Sequence, residues 1–162
     1  MKTIRIGSGA GYAGDRIEPA MELIEKGNLD YIIFECLAER TVAIGQQDKE
    51  KDSEKGYNQL LEYRMKKILP LLFYNHVKMI TNMGAANPKA AARQTKKIAE
   101  ELGISGLKIA CVTGDDITDK LEQYMGNTVL ENEKQLEELR DSLISANVYM
   151  GSEGIQEALA GQ

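Results

Sequence analysis

The chain has 162 residues, 43% of them hydrophobic and 28% charged, and a formal net charge of -5. This length predicts one domain with a substantial core, and the acidic balance, with Glu and Asp interleaved with Lys, excludes a basic nucleic-acid surface. No apolar run approaches the roughly 20 residues of a membrane helix. No signal peptide precedes the first strand-like run, and Cys36 and Cys111 lack metal or redox spacing, so a cytoplasmic protein with no membrane partner is expected.

In chain order, TIRI (Thr3 to Ile6) predicts a strand, and Pro19 opens a helix that carries Ala20, Leu23 and Ile24 inward and stops at Gly27-Asn28. DYIIFE (Asp30 to Glu35) is a second strand. The polar run from Gln46 to Gly56 predicts a solvated loop or frayed helix end. A helix from about Asn58 to Phe73 places Leu60, Leu61, Met65, Ile68, Leu69 and Leu72 on one face, with Pro70 expected to kink or shorten it. VKMIT (Val77 to Thr81) is a third strand. Asn87 then caps a helix with Pro88 in its first turn and Ala91, Thr95, Ile98, Ala99 and Leu102 at helical spacing, ended by Gly103. LKIACVT (Leu107 to Thr113), with Cys111 in the core, predicts a fourth strand, and NVYMG (Asn147 to Gly151) a weaker fifth. These nearly continuous apolar runs suit buried parallel strands. Strand and helix in alternation predict a three-layer α/β fold, Rossmann-like, with a mainly parallel sheet covered on both faces. The last helix, followed by glycine as if leading into another strand, predicts a fragment or a half that another chain completes.

A parallel sheet gathers every loop that leaves a strand's C-terminal end along one edge, where open α/β sheets place their ligands. Those loops are Gly7 to Asp15, Glu35 to Thr41, Thr81 to Pro88, Thr113 to Thr118 and Met150 to Gly154, and all carry an acid or an amide. The return loops (KGN, YNH and GISG) are short and nearly uncharged. The lone histidine, His76, falls at the opposite end of its strand, which argues against Ser-His-Asp chemistry. Cys36 likewise has no histidine placed to activate it.

Within the first loop, Gly9, Gly11 and Gly14 fit G-x-G-x-x-G, and Glu35 stands where an NAD ribose carboxylate would. A dinucleotide fold starts its helix inside that motif. Here that would bury Pro19 in a helix, at about 3 kcal/mol, and set Asp15 beside the diphosphate. NAD is therefore disfavoured, and a nucleotide-binding module remains an alternative. In the third loop, TNMGAANP, the small residues Gly84, Ala85 and Ala86 predict accessible N–H groups ahead of a helix start at Asn87, an anion-binding geometry. Asp115 and Asp116 could bind Mg²⁺ or cap the next helix, capping being expected of one of them. The candidate site is thus Asp15, Asp115 and Asp116 for base or metal chemistry, with Gly9, Gly11, Gly14, Glu35, Asn82, Gly84, Ala85 and Asn87 around an anionic small-molecule ligand.

The stretches RIGSGAGYAGDRI, LDYIIFECLAERT, ITNMGAANPKAAA, KIACVTGDDI and SANVYMGSEGIQEALAGQ, in that order, resemble the N-terminal region of the acyclic terpene utilisation (AtuA-like) family. Glu35 and Cys36 depart from the aspartate-tyrosine form of that family's motif. The resemblance implies catabolism of acyclic terpenoids as coenzyme A thioesters, without specifying a reaction. It marks Gly9, Gly11, Gly14, Asp15, Asn82, Gly84, Asn87, Pro88, Gly114, Asp115 and Asp116 as family-like positions. An enzyme, an enzyme subunit, or a non-catalytic half that forms a homo-oligomer or pairs with a second chain through Ile155 and Leu159 all fit the sequence.

Overall fold

The computed structural model describes residues 3–161. The chain forms two compact units, the first ending at Cys111 and the second beginning at Val112. The first unit holds β1 (Ile6–Ala10), α1 (Glu18–Lys26), β2 (Tyr31–Phe34), α2 (Glu39–Lys51), α3 (Leu61–Asn75), β3 (Lys78–Thr81) and α4 (Pro88–Glu101). The strands form one sheet in the order β1-β2-β3, both pairings parallel. This mixed helix-and-strand fold is the α/β class expected and is consistent with a three-layer arrangement.

Register explains the core. Gly7, Ile32 and Met79 lie in one cross-strand row, and Ala10, Phe34 and Thr81 in another. Ile32 and Phe34 are almost fully buried. They join one cluster with Ala20 and Ile24 of α1, Met65 and Ile68 of α3, and Ile98 of α4. The row Ser8, Ile33 and Ile80 alternates to the other face. That face is not packed in the same way, since Ile6 is 62% and Ile33 37% exposed, although coverage of both faces was expected.

The first strand runs four residues further into the glycine stretch than TIRI suggests. Gly9 belongs to β1, where a Cβ would stand 2.6 Å from the Phe34 ring. Small residues continue the strand because that ring fills the space a side chain would need. Helix α1 starts at Glu18 with Pro19 in its first turn, and Gly27 ends it, both as expected, but Leu23 is turned to solvent. Helix α2 occupies the beginning of the polar run, and Asp52 to Gly56 form the loop after it. Pro70 neither ends nor shortens α3, which continues to Asn75. The carbonyl that its missing N–H would have served belongs to Lys66, an exposed residue near water. Exposed His76 caps this helix in a left-handed conformation, at the end of β3 remote from the loops. Asn87 caps α4 as expected, its Oδ1 accepting from the Ala90 N–H at 3.2 Å, while Leu102 stays exposed.

Leu107 to Thr113 is not a strand. It takes no place in the sheet, Leu107 and Ile109 are exposed, and so is Cys111, which was expected in the core. An apolar run becomes a strand only when a ladder partner and covering side chains are available, and no strand flanks β3 on its outer side. Asn147 to Gly151 likewise contributes only an isolated antiparallel bridge from Asn147 to Asp116. The second unit also contains two 3-10 helices, Thr118–Tyr124 and Leu136–Ser142, and α5 (Glu153–Ala160). No described helix is long and apolar enough to cross a membrane.

The packing of β1 separates two glycines of one motif. Gly9→Val should lower the unfolding free energy by about 1–3 kcal/mol, as overpacking does. Gly11→Ala, whose Cβ meets nothing within 4 Å, should stay within about 0.5 kcal/mol. Urea denaturation of both variants checks this, and equal losses would overturn the packing account.

Candidate functional site

The C-terminal edge of the sheet is organised by a residue the sequence reading passed over. Arg64 of α3 is 1% exposed. Its Nη2 donates to the backbone carbonyl of Asp15 at 2.7 Å, and its Nη1 donates to Cys36 Sγ at 3.2 Å and to Met83 Sδ at 3.6 Å. One side chain therefore reaches the loops after β1, β2 and β3. The signal was present in the sequence: Leu61, Arg64, Met65, Ile68 and Leu72 form one helical stripe, and an arginine on an apolar stripe is a buried charge that requires partners.

A second set of bonds ties the loops to one another. Asn82 Oδ1 accepts from the Cys36 N–H at 2.7 Å, and its Nδ2 donates to Glu35 Oε1 at 2.9 Å. The Leu37 N–H donates to the same carboxylate oxygen at 3.0 Å. Thr81 Oγ1 donates to the Phe34 carbonyl and accepts from the Met83 N–H. Asn58, just before α3, donates from Nδ2 to the Ala13 carbonyl and from its backbone to the Met83 carbonyl. Asp15, Glu35, Asn82 and Gly84 thus gather along one edge, as a parallel sheet requires.

The individual roles differ from those expected. Gly9 is a packing residue within β1. The Gly11 N–H donates to the Asp15 carboxylate at 2.9 Å, so that donor is already engaged. Gly14 gives way to the Tyr12 ring, 2.8 Å from where a Cβ would stand. With α1 starting at Glu18, the glycines lie outside the helix start that a dinucleotide motif uses.

The third loop is corrected most. The N–H groups of Ala85, Ala86 and Asn87 donate to the carbonyls of Asn82, Gly56 and Gly84 at 3.1, 3.0 and 2.8 Å. Two are closed into the loop's own turns and the third is tied to the loop before α3, so these three are not the open anion donors expected. Gly84 lies so near Pro88 that a Cβ would stand 2.7 Å from its Cα, and Ala85 is left-handed with φ 45°. The Asn87 amide donates to the Ser53 and Lys55 carbonyls at 2.8 and 2.7 Å while its oxygen caps α4. Every polar atom of that side chain is committed to structure.

In the second unit, Asp115 Oδ2 accepts from Asn147 Nδ2 at 2.9 Å, and Asp116 Oδ1 accepts from the Thr118 N–H at 3.0 Å. Neither aspartate is the N-cap expected of one of the pair: Ile117 holds that position without a side-chain cap, and Asp116, one residue earlier, only bonds the first N–H of the 3-10 helix. Among the described residues, no group of three or more His, Cys, Asp or Glu side chains is placed to hold a metal.

Burial pushes the Cys36 thiol above its ordinary range, against the opposing pull of the Arg64 guanidinium. Beside the loops, burial also raises the Tyr57 hydroxyl. Burial alone would raise the Glu62 carboxyl too, but hydrogen bonds from Tyr57 and Lys55 outweigh it and hold it low.

The family-model comparison matches residues 4–162 to the family described as acyclic terpene utilisation family protein AtuA. The chain belongs to the AtuA family. No curated protein and no solved structure gives a significant match. Membership of this family suggests a role in terpene utilisation.

Replacing Arg64 should be costly, because it removes charge-assisted bonds and leaves a void together. Arg64→Ala should lose about 3–5 kcal/mol and Arg64→Met less, both read from denaturation midpoints. For Cys36, a raised pKa in the folded state means that its contribution is present below the ordinary thiol range and is lost as pH rises through the raised value. Stability should therefore decline more steeply above about pH 8.5 in the parent than in Cys36→Ala. A disulfide-exchange reagent should label exposed Cys111 well before Cys36; equal labelling rates would overturn the burial account.

Proposed function

We propose that this AtuA-family chain acts in the breakdown of acyclic terpenoids, as an enzyme or enzyme subunit in the cytoplasm. Its ligand is an anionic small molecule, an acyl-CoA or an organic acid, bound at the C-terminal edge of the sheet. The observation that carries this reading is the bonding of three separate strand-end loops around Arg64, with the carboxylates of Asp15 and Glu35 and the amide of Asn82 on those loops. With the N–H groups of Met83, Ala85, Ala86 and Asn87 engaged, recognition falls mainly to side chains. Asp15 is the candidate base, Glu35 and Asn82 contact the ligand's polar end, and exposed Arg16 and Arg40 supply positive charge.

Thermal-shift and calorimetric screening of the full chain with branched unsaturated acyl-CoA thioesters and their free acids tests this. At least one should bind, and the pair Arg16→Ala with Arg40→Ala should weaken it about 10- to 100-fold, the equivalent of one lost charged hydrogen bond. Binding by none of them, or binding unaffected by those changes and by Glu35→Gln, would reject the reading.

A second reading is that the chain is a half that assembles with a copy of itself or with another polypeptide. Exposed Ile6 and Ile33 on the sheet face favour it, as does exposed Ile155 on α5, with Leu159 half-buried. Light scattering should then show a dimer or larger species that Ile33→Lys reduces to monomer. A monomeric parent chain would reject it.

A further inference from the structure

The geometry points to a second binding site, a basic cleft on the first unit that takes a small polyanion through clustered phosphate or carboxylate oxygens. It lies between the outer face of α4 and the loop that precedes α3. Asn87 holds that loop by its Ser53 and Lys55 carbonyls. Arg93 also meets it at the surface, its Nη2 and Nε donating to the Glu54 carboxylate at 2.9 to 3.2 Å. With the loop held by the part-buried Asn87 amide, a cleft of about 340 Å³ remains between it and the helix, at the lower end of the range of small-molecule sites.

Its lining follows from helix geometry. Ala90, Arg93, Gln94 and Lys97 line the cleft, and they stand at i, i+3, i+4 and i+7, one stripe of α4. Ala90 is buried, while Arg93 and Lys97 are exposed. Lys55 lines it from the loop, its ammonium 5.5 Å from the centre of the buried Tyr57 ring. Three cations therefore surround a cavity that holds a single acid, Glu54, in a chain whose net charge is -5.

The existing pairs do not close the site. The Glu54–Arg93 and Lys55–Glu62 ion pairs have side chains 37% to 66% exposed, and pairs at that exposure contribute little. A ligand with two or more negative charges can compete for both cations without leaving a buried charge unpaired. Lys97 is in no ion pair among the described residues, and the Gln94 amide adds a neutral donor. This site is distinct from the sheet-edge reading, since neither Asp15, Glu35 nor Asn82 lines it.

Calorimetric titration of the full chain at low ionic strength, with inorganic pyrophosphate in one arm and citrate in the other, tests the assignment. One-site binding of at least one probe is expected, weakened about 5- to 20-fold by Lys97→Ala and abolished by Lys97→Glu. Both substitutions fall on an exposed side chain that the fold does not use, and circular dichroism verifies that the helix persists. Lys66→Ala on α3, a cation outside the cleft, should leave affinity unchanged. Pyrophosphate alone would identify a phosphate site, citrate alone a polycarboxylate site, and both a general polyanion site. Binding of neither probe, or binding that Lys97→Glu leaves intact, would overturn the proposal whatever becomes of the sheet-edge ligand.

Discussion

A guanidinium buried with no carboxylate partner among the described residues is the constraint around which this fold is arranged. Removing a cation from water is costly unless its hydrogens are satisfied, and Arg64 meets that demand with a backbone carbonyl and two sulfur atoms. These acceptors come from three different strand-end loops, so α3 can pack against the sheet only when all three loops are in place. Cys36 and Met83 serve here as soft acceptors as much as core filling. Both are buried with it, and burial holds the Cys36 thiol in its protonated form although the guanidinium pulls the other way.

Around that centre, local bonds complete what the charge begins. Asn82 couples the loops after β2 and β3, and Asn87 couples a helix cap to the loop preceding α3. Three asparagines, Asn58, Asn82 and Asn87, thus act as connectors between segments distant in sequence. An asparagine suits this work because it both donates and accepts through a short, stiff arm. The segment that looks thin enough for a ligand to approach is thin for another reason. Gly84 and Ala85 allow the chain to turn tightly against Pro88 and Gly56, and their neighbours' N–H groups are used in that turn.

Much of the architecture was legible in the sequence because its signals are local. Pro19, Asn87-Pro88 and the apolar runs around Ile32 and Ile80 announce their elements through capping and periodicity, and the order of those elements implies parallel pairing. The family likeness was legible too, since its motifs occur in sequence over most of the chain. What escaped the reading depends on partners. Leu107 to Thr113 has the composition of a strand and no strand beside it, and Gly9 looks like a phosphate loop until Phe34 is placed beneath it. Which polar groups remain open to a ligand follows only from counting the bonds they already make, and that count removed the N–H groups of Ala85, Ala86 and Asn87.

The bonds that Arg64 makes fall on a carbonyl and two sulfur atoms, leaving the exposed side chains of the edge loops out of the arrangement. Tyr12, Arg16 and Ala38 are all turned to solvent. A lineage of related chains can therefore exchange those residues, and with them its chemical preferences, on an unchanged scaffold. Divergence in substrate should be written in the outward-facing letters of these loops, and common descent in the buried guanidinium of Arg64 that they close over.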